Sequence, residues 1–179
     1  AFGYGNGGFE IAKLLEHHKI NYLGVAFADE GITLKTAGIT LPIMVMNPET
    51  TSFSSIIQHQ LEPEIYSFKG LEAFIKLAKA KKLKQFPIHI KLDTGMHRLG
   101  FQESDIPQLI SILTNHTCIK VQSILSHLAA SDDLKLLHFT LKQVAQFETM
   151  STHLINALGY TPIRHLLNTS GISNFTTAQ

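Results

Sequence analysis

Strand-like and helix-like segments alternate along the whole chain, and this alternation constrains its fold more than any other feature. No Asn-Gly turn joins two strand-like runs, so the pattern contains no hairpin signal. Repeated βα units of this kind imply a parallel sheet with right-handed crossovers. The predicted strands are 22–28, 42–46, 64–67, 88–92, 119–125 and 163–167, and the predicted helices are 8–19, 29–37, 52–59, 71–83, 103–115 and 132–158.

Two closures fit such a sheet, an open doubly wound sheet or an eight-stranded barrel of about 250 residues. Six units in 179 residues are close to the spacing of the barrel. We therefore predict an α/β fold, an incomplete (β/α)8 TIM-type barrel with about strands 2 to 7 present. Because the chain begins at Ala1 without an initiator Met and ends at Gln179 within a polar stretch, we expect it to be a piece of a longer protein.

Composition and charge exclude several classes of function. Hydrophobic residues make up 44% of the chain and charged residues 16%, which is typical of a soluble globular protein and argues against disorder. The net charge of +1 gives no reason to expect a nucleic-acid or membrane partner. No apolar run approaches the roughly 18 to 20 residues that span a bilayer. The single cysteine, Cys118, cannot form an internal disulfide, so we predict a reducing, cytoplasmic location, and we predict no metal site.

Polar side chains collect where the predicted strands end, which is where parallel α/β barrels carry their chemistry. Alternation puts Lys91 and His89 on one face of their strand and three apolar residues on the other. An unpaired buried charge costs several kcal/mol, roughly, so Lys91 must point either to solvent or to a polar site. The turn that follows contains Arg98 and favours the polar site. Further candidates after other strands are Ser126, His127 and the stretch 168–170.

Each of these candidates also has a purely structural alternative. The stem of Lys91 can cover apolar surface while its amine stays in solvent. His127 can be a hydrogen-bonded core histidine. The stretch 168–171 can be a turn with a helix cap, although a helix N-terminus also offers N–H groups to an anion. Asp29 and Asp132 are predicted as helix N-caps.

The glycine-rich start offers a second motif. Residues 3–8 satisfy the dinucleotide pattern G-x-G-x-x-G, precede a helix, and are followed a little over 20 residues later by Asp29 and Glu30. A nucleotide-dependent oxidoreductase is therefore an alternative function. The signal is weak because the strand that must precede the glycines is not in the chain, and the pattern does not account for the turn that carries Arg98.

Four motifs in one family's order and spacing cover nearly the whole chain. They are Lys-Leu-Asp-Thr-Gly-Met-His-Arg-Leu-Gly at 91–100, Ala-Phe-Gly-Tyr-Gly-Asn-Gly at 1–7, Ser-His-Leu-Ala-Ala-Ser-Asp at 126–132 and His-Leu-Leu-Asn-Thr-Ser-Gly at 165–171. Together they resemble alanine racemases, pyridoxal-phosphate enzymes with an N-terminal eight-stranded barrel. Asn6 stands where that family usually has histidine, and Thr169 where it usually has serine. The run 41–49 is also similar to the racemase half of bacterial fusions with a cell-wall peptide ligase.

The resemblance implies that five residues bind pyridoxal 5'-phosphate. Tyr4 would contact the phosphate region, and Thr169, with Asn168 beside it, would bond the phosphate at a helix N-terminus. Arg98 would donate to the phenolic oxygen of the cofactor and to the substrate carboxylate, which suits a planar, permanently charged donor. His127 would stack against the pyridine ring.

Two more residues would support this group, and two bases are expected elsewhere. Lys91, often a carbamate in the family, would hold Arg98, and His165 would orient the group opposite the ring nitrogen. The Schiff-base lysine is expected immediately before Ala1, and the arginine that faces the ring nitrogen a few residues beyond Gln179. A C-terminal β domain, which carries the tyrosine base, is absent from residues 1–179. With neither base present, we predict that this chain alone does not racemise its substrate.

For the intact protein, the resemblance implies interconversion of L-alanine and D-alanine for peptidoglycan. It further implies a small amino acid as substrate, a homodimer and the bacterial cytoplasm. The alternative within the same cofactor class is a non-catalytic, single-barrel pyridoxal-phosphate carrier, which shares the barrel and lacks the second domain. The turn with Arg98 and the spacing around His127 favour the racemase.

Overall fold

The computed structural model describes residues 2–178, except for the side chains of Phe2 and Tyr4. The chain forms two compact units, Ala1–Glu64 and Ile65–Gln179. Each unit alternates strands with helices and contains parallel strand pairs. Within the described residues, no helix is both long enough and apolar enough to cross a membrane.

The first unit contains three short strands that pair in parallel in chain order. Leu23 lies opposite Ile43, and Met44 lies opposite Glu62. The elements are α1 (Gly8–His17), β1 (Leu23–Val25), α2 (Ala28–Thr36), β2 (Ile43–Val45), α3 (Phe53–Gln58) and β3 (Glu62–Ile65), with 3-10 turns at Phe2–Gly5 and Thr50–Ser52.

The core of the first unit lies between the middle strand and its helices. Ile43 and Val45 of β2 are fully buried, as is Leu61 just before β3. Gly31 lets α2 approach this core, because a Cβ at that position would lie 3.0 Å from both terminal methyl groups of Leu61. The glycine inside α2 is thus explained by packing rather than by a helix end.

The second unit contains the other three strands, again parallel and paired in chain order. Phe86 lies opposite Ile119, and Leu125 lies opposite His165. The elements are α4 (Phe68–Ala80), β4 (Phe86–Lys91), α5 (Ile106–Thr114), β5 (Ile119–Leu125), α6 (Leu137–Leu158), β6 (Ile163–His165) and α7 (Thr169–Asn174), with 3-10 turns at Glu103–Asp105 and Leu134–Leu136.

The α/β class predicted from the alternating pattern is confirmed. Every predicted strand and helix overlaps an observed one, and β5 has the predicted bounds. The predicted N-cap roles of Asp29 and Asp132 are wrong. Helix α2 begins earlier than predicted, with Phe27 at its N-cap position, so Asp29 lies in the first turn. A 3-10 turn precedes α6, and it is Asp133 that caps this turn by accepting the N–H of Lys135 at 2.9 Å.

Candidate functional site

The polar turn after β4 is closed on itself by hydrogen bonds around Asp93. The Oδ1 atom of Asp93 accepts the backbone N–H groups of Gly95 and His97, each at 3.0 Å. The N–H of Phe101 donates to the carbonyl of Lys91, and the N–H of Asp93 donates to the carbonyl of Phe101, both at 2.9 Å. The side chains between these two ends are therefore carried by a closed loop.

Two glycines of this turn are required by their backbone angles and by close packing. Gly100 has a φ of +132°, and a Cβ there would lie 2.6 Å from the backbone nitrogen of Asp93. Gly95 has a φ of +130°, and a Cβ there would lie 3.3 Å from the ring of Phe139 on α6. The first glycine lets the turn close, and the second lets it pack against α6.

Strand β4 is buried on both faces. Ile88, Ile90 and Leu92 are 0% exposed on one face, while His89 and Lys91 are 2% and 6% exposed on the other. A parallel strand covered on both sides has no solvent-facing side. The alternative in which Lys91 reaches solvent is therefore wrong, because the residue is buried.

Three of the predicted site residues act on one another electrostatically. The pKa of His127 is lowered below its usual value of 6.5, first because the ring is partly buried, then because the positive charges of Arg98 and Lys91 are close to it. Arg98 itself is exposed, and His127 is partly buried. The end of β4 and the turn after it thus place Lys91 and the permanently charged Arg98 near the imidazole of His127, in the loop after β5.

Hydrogen bonds join the segments that carry these side chains. The Ser126 hydroxyl donates to the carbonyl of Leu92 at 2.8 Å, and the Thr94 and Ser126 hydroxyls are bonded at 2.8 Å. All three residues are buried. The chain after β4 and the chain after β5 are therefore fixed relative to each other by buried hydroxyl groups.

Helix α6 holds the backbone around His127 through one buried side chain, which the sequence analysis missed. The Gln143 amide nitrogen donates to the carbonyl of His127 at 3.2 Å, and its Oε1 atom accepts the N–H of Ala129 at 2.9 Å. Gln143 is 1% exposed. A signal was available, because Gln143 shares the buried stripe of α6 with Phe147 and Met150, and a polar residue in such a stripe needs a specific partner.

The stretch after β6 begins a helix, as the cap alternative predicted. Asn168 occupies the N-cap position of α7, where its Oδ1 accepts the N–H of Gly171 at 2.8 Å and the Ser131 hydroxyl at 2.7 Å. Its amide nitrogen donates to the carbonyl of Leu128 at 3.2 Å. Asn168 thus joins the loop after β5 to the start of α7, where Thr169 is exposed.

A second group of polar side chains lies on the strands themselves. Nδ1 of His89 is 2.7 Å from the Ser123 hydroxyl, which is 3.3 Å from Nε2 of His165. The pKa of His165 is lowered from 6.5 to about 4, first by burial and then by electrostatic interaction with the neighbouring His89 and Lys91. Sequence reasoning gave His165 a role but missed Ser123, because a serine within an apolar strand carries no signal until its neighbours are known.

The structure therefore brings some of the predicted site residues together, and it does not test the positions of others. Lys91, Arg98 and His127 share one electrostatic environment, and Asn168 connects α7 to the loop that carries His127. The side chain of Tyr4 lies outside the described residues. The roles of these side chains toward a cofactor stay predictions.

A cavity of about 680 Å³ in the second unit is lined in part by the Asp93 turn. It is bounded by α6, by the turn and by the start of the segment before α5, and neither Arg98, His127 nor Thr169 lines it. The lining residues are Asp93, Thr94, Gly95, His97, Gln102, Glu103, Ser104, Phe139, Lys142, Gln143, Ala145, Gln146 and Thr149. The lining of this cavity thus does not include these three predicted cofactor residues.

Comparison with known proteins identifies relatives along the whole chain. Residues 1–179 match the family model described as "Alanine racemase, N-terminal domain". Alanine racemase 1 of Oceanobacillus iheyensis is 36% identical over 180 residues, which cover 98% of this chain and 46% of that protein. The chain spans about half the length of the curated relatives it matches.

Solved structures give the same result for the fold. An alanine racemase structure from Clostridium difficile 630 is 32% identical with a TM-score of 0.89, over 97% of this chain and 45% of that one. The alanine racemase from Bartonella henselae with covalently bound pyridoxal phosphate is 28% identical with a TM-score of 0.82, over 94% of this chain and 48% of that one. The predicted fold class, an incomplete TIM-type α/β barrel, is thereby confirmed.

Proposed function

The chain belongs to the alanine racemase family, and we propose that it supplies the pyridoxal-phosphate-binding part of an enzyme that interconverts L-alanine and D-alanine. The observation that carries this proposal is the position of the family's central motif. The closed turn after β4 brings Arg98 close enough to His127 to lower the pKa of the imidazole. A permanent cation beside a neutral aromatic ring is an arrangement that recognises a planar, anionic ligand.

The donor chemistry of the described residues suits pyridoxal phosphate. The exposed guanidinium of Arg98 offers a planar set of N–H donors for an oxygen anion. The ring of His127, kept neutral by burial and by nearby cations, is suited to stacking on a heteroaromatic ring. Thr169 offers a hydroxyl at the first position of α7, where backbone N–H groups have no acceptor within the helix. The set therefore combines donors for an anionic oxygen, a stacking surface and donors for an ester phosphate.

Within the proposal, each residue has a distinct task. Tyr4 and Thr169, with Asn168 shaping the start of α7, hold the phosphate. Arg98 binds the substrate carboxylate and the phenolic oxygen of the cofactor, and His127 stacks on the ring. When bound, pyridoxal phosphate draws electrons from the α-carbon of the amino acid and makes its proton acidic.

Lys91 and His165 act through other groups in this proposal. The buried Lys91 supports Arg98 from the end of β4. His165 presents a neutral imidazole to the group opposite the ring nitrogen, because the pKa of its ring is about 4. A neutral ring there orients a donor without adding positive charge.

The remaining parts of the proposal concern the whole protein. It acts as a homodimer in the bacterial cytoplasm and supplies D-alanine for peptidoglycan. The parent protein is either a separate racemase or the racemase half of a fusion with a cell-wall ligase. Neither of the two bases that move the α-proton falls within residues 1–179, so these residues by themselves do not racemise alanine.

The test compares the full-length protein with two arginine variants. Arg98 and Arg164 are the two arginines of the sequence, and Arg164 forms an ion pair with Glu148 at 2.7 Å instead. We expect visible absorbance from bound pyridoxal phosphate and racemisation of L-alanine. Arg98→Ala should lower racemisation by about a hundredfold or more, as loss of a key charged donor does, and Arg164→Ala should leave it unchanged. Absence of cofactor absorbance overturns the proposal, and binding without racemisation establishes the carrier alternative instead.

A further inference from the structure

A buried serine links two histidines on the three strands of the second unit. Ser123 on β5 lies opposite His89 of β4 in the strand register, and His165 lies on β6. The Ser123 hydroxyl is 2.7 Å from Nδ1 of His89 and 3.3 Å from Nε2 of His165. Ser123 and His89 are each 2% exposed. The three side chains therefore form one chain of hydrogen bonds, of which Ser123 and His89 are shielded from bulk water and His165 is partly buried.

A hydroxyl has one proton to donate, and this limits the states of the two rings. If neither facing nitrogen carried hydrogen, one lone pair would point at the serine oxygen without a proton between them. If both facing nitrogens carried hydrogen, the serine hydroxyl proton would find no acceptor on either ring and would have to point away from both. The chain is fully bonded when one facing nitrogen is protonated and the other is not.

The two distances indicate which nitrogen is protonated. A separation of 2.7 Å is the usual length for an O–H donor, whereas 3.3 Å is too long for an O–H donor and slightly beyond the usual range for an N–H donor, so the shorter contact is assigned to the hydroxyl proton. We propose that Ser123 couples the tautomers of the two histidines: His165 donates its Nε2–H to the serine oxygen, and the serine hydroxyl donates to an unprotonated Nδ1 of His89.

Because Ser123 couples the two rings, Ser123 is a positioning residue for His165. With its proton on Nε2, neutral His165 has Nδ1 left as an acceptor and therefore receives an N–H donor there rather than competing as a second donor. This consequence for the site rests on the proposed function, in which His165 orients the group opposite the cofactor ring nitrogen. The coupling itself does not depend on the cofactor.

Nitrogen NMR of the full-length protein labelled with 15N-histidine tests the coupling directly. We expect the spectra at neutral pH to show His165 protonated at Nε2 and His89 unprotonated at Nδ1. The same protonation state at both facing nitrogens, or the reverse assignment, overturns the proposal. This measurement needs no variant, so it decides the question even where a substitution prevents folding.

Variants then test the part played by the hydroxyl. Ser123→Ala should shift the tautomer ratio of His165 by about fivefold, the effect of losing one hydrogen bond, and Ser123→Thr should restore the original ratio. Ser151→Ala is the matched control, because it removes a buried hydroxyl that bonds Glu148 and Arg164 instead. An unchanged ratio in folded Ser123→Ala overturns the coupling. A failure of cofactor binding would leave these spectra unaffected and would count only against the proposed function.

Discussion

The side-chain amide of Gln143 spans the backbone that follows His127, donating to the carbonyl of His127 at 3.2 Å and accepting the N–H of Ala129 at 2.9 Å. One residue of α6 therefore satisfies a donor and an acceptor in a loop that has no regular structure of its own. The same side chain lies 3.5 Å from the position that a Cβ on Gly95 would occupy. Through it, α6 supports both segments that carry the candidate site.

Replacing Gln143 with leucine should destabilise the fold, because the carbonyl of His127 and the N–H of Ala129 lose the buried amide that bonds both of them. We expect the free energy of unfolding, measured in urea, to fall by about 2 kcal/mol or more. The matched control is Gln146→Leu, three residues along the same helix and only partly buried, which should change it by less than about 0.5 kcal/mol. Equal effects of the two variants would contradict the role given to Gln143.

Replacing Gly100 with alanine should open the turn that carries Arg98. A Cβ at residue 100 would lie 2.6 Å from backbone atoms of Asp93 and Leu92, which cannot move aside as a side-chain end can. The matched control is Gly38→Ala, where φ is +92° but nothing lies within 4 Å of the added Cβ. Gly38→Ala should cost about 1 kcal/mol of backbone strain, and Gly100→Ala about 3 kcal/mol or more. Urea unfolding measures both, and similar losses would show that the close contact is relieved without cost.

The sequence predicted the kind of each element and the segments that carry the site, but not the contacts that hold them. Alternation along the chain determines whether a segment is a strand or a helix, so the six βα units follow from local pattern. The bond from Ser123 to His165 depends on which residues of β5 and β6 lie side by side, which local pattern does not contain. The misplaced N-cap at Asp132 has a similar cause, since the 3-10 turn before α6 is invisible to helical periodicity.

Stability should fall as the pH is lowered through the titration range of His165. The pKa of this ring is about 4 in the folded protein and 6.5 in an exposed histidine, so the unfolded chain binds more protons between these two values. Above pH 6.5 the His165 ring is neutral in both the folded and the unfolded chain, so this group does not lower the free energy of unfolding. At pH 5 the free energy of unfolding should be lower than at pH 7 by about 2 kcal/mol from this group alone.

The histidine variants separate this effect from that of other titrating groups. His165→Gln should remove this part of the dependence on pH, measured by urea unfolding at pH 7 and pH 5. His153→Gln, on the exposed face of α6, should leave it unchanged. If His165→Gln retains the full loss between the two pH values, burial of a neutral His165 does not limit acid stability.

Removing the charge of Arg98 should raise the pKa of His127. Burial is the larger cause of the lowered pKa, so Arg98→Ala should move it only part of the way back toward 6.5, whereas Arg98→Lys should keep it low. Titration of the His127 ring by NMR measures the change, and Arg164→Ala serves as the control because Arg164 pairs with Glu148. The turn after β4 and the loop after β5 form one site only if these two side chains are close. A pKa of His127 that is the same in Arg98→Ala as in the unmodified protein would show that they are not, and would remove the geometric support for assigning both residues to one ligand.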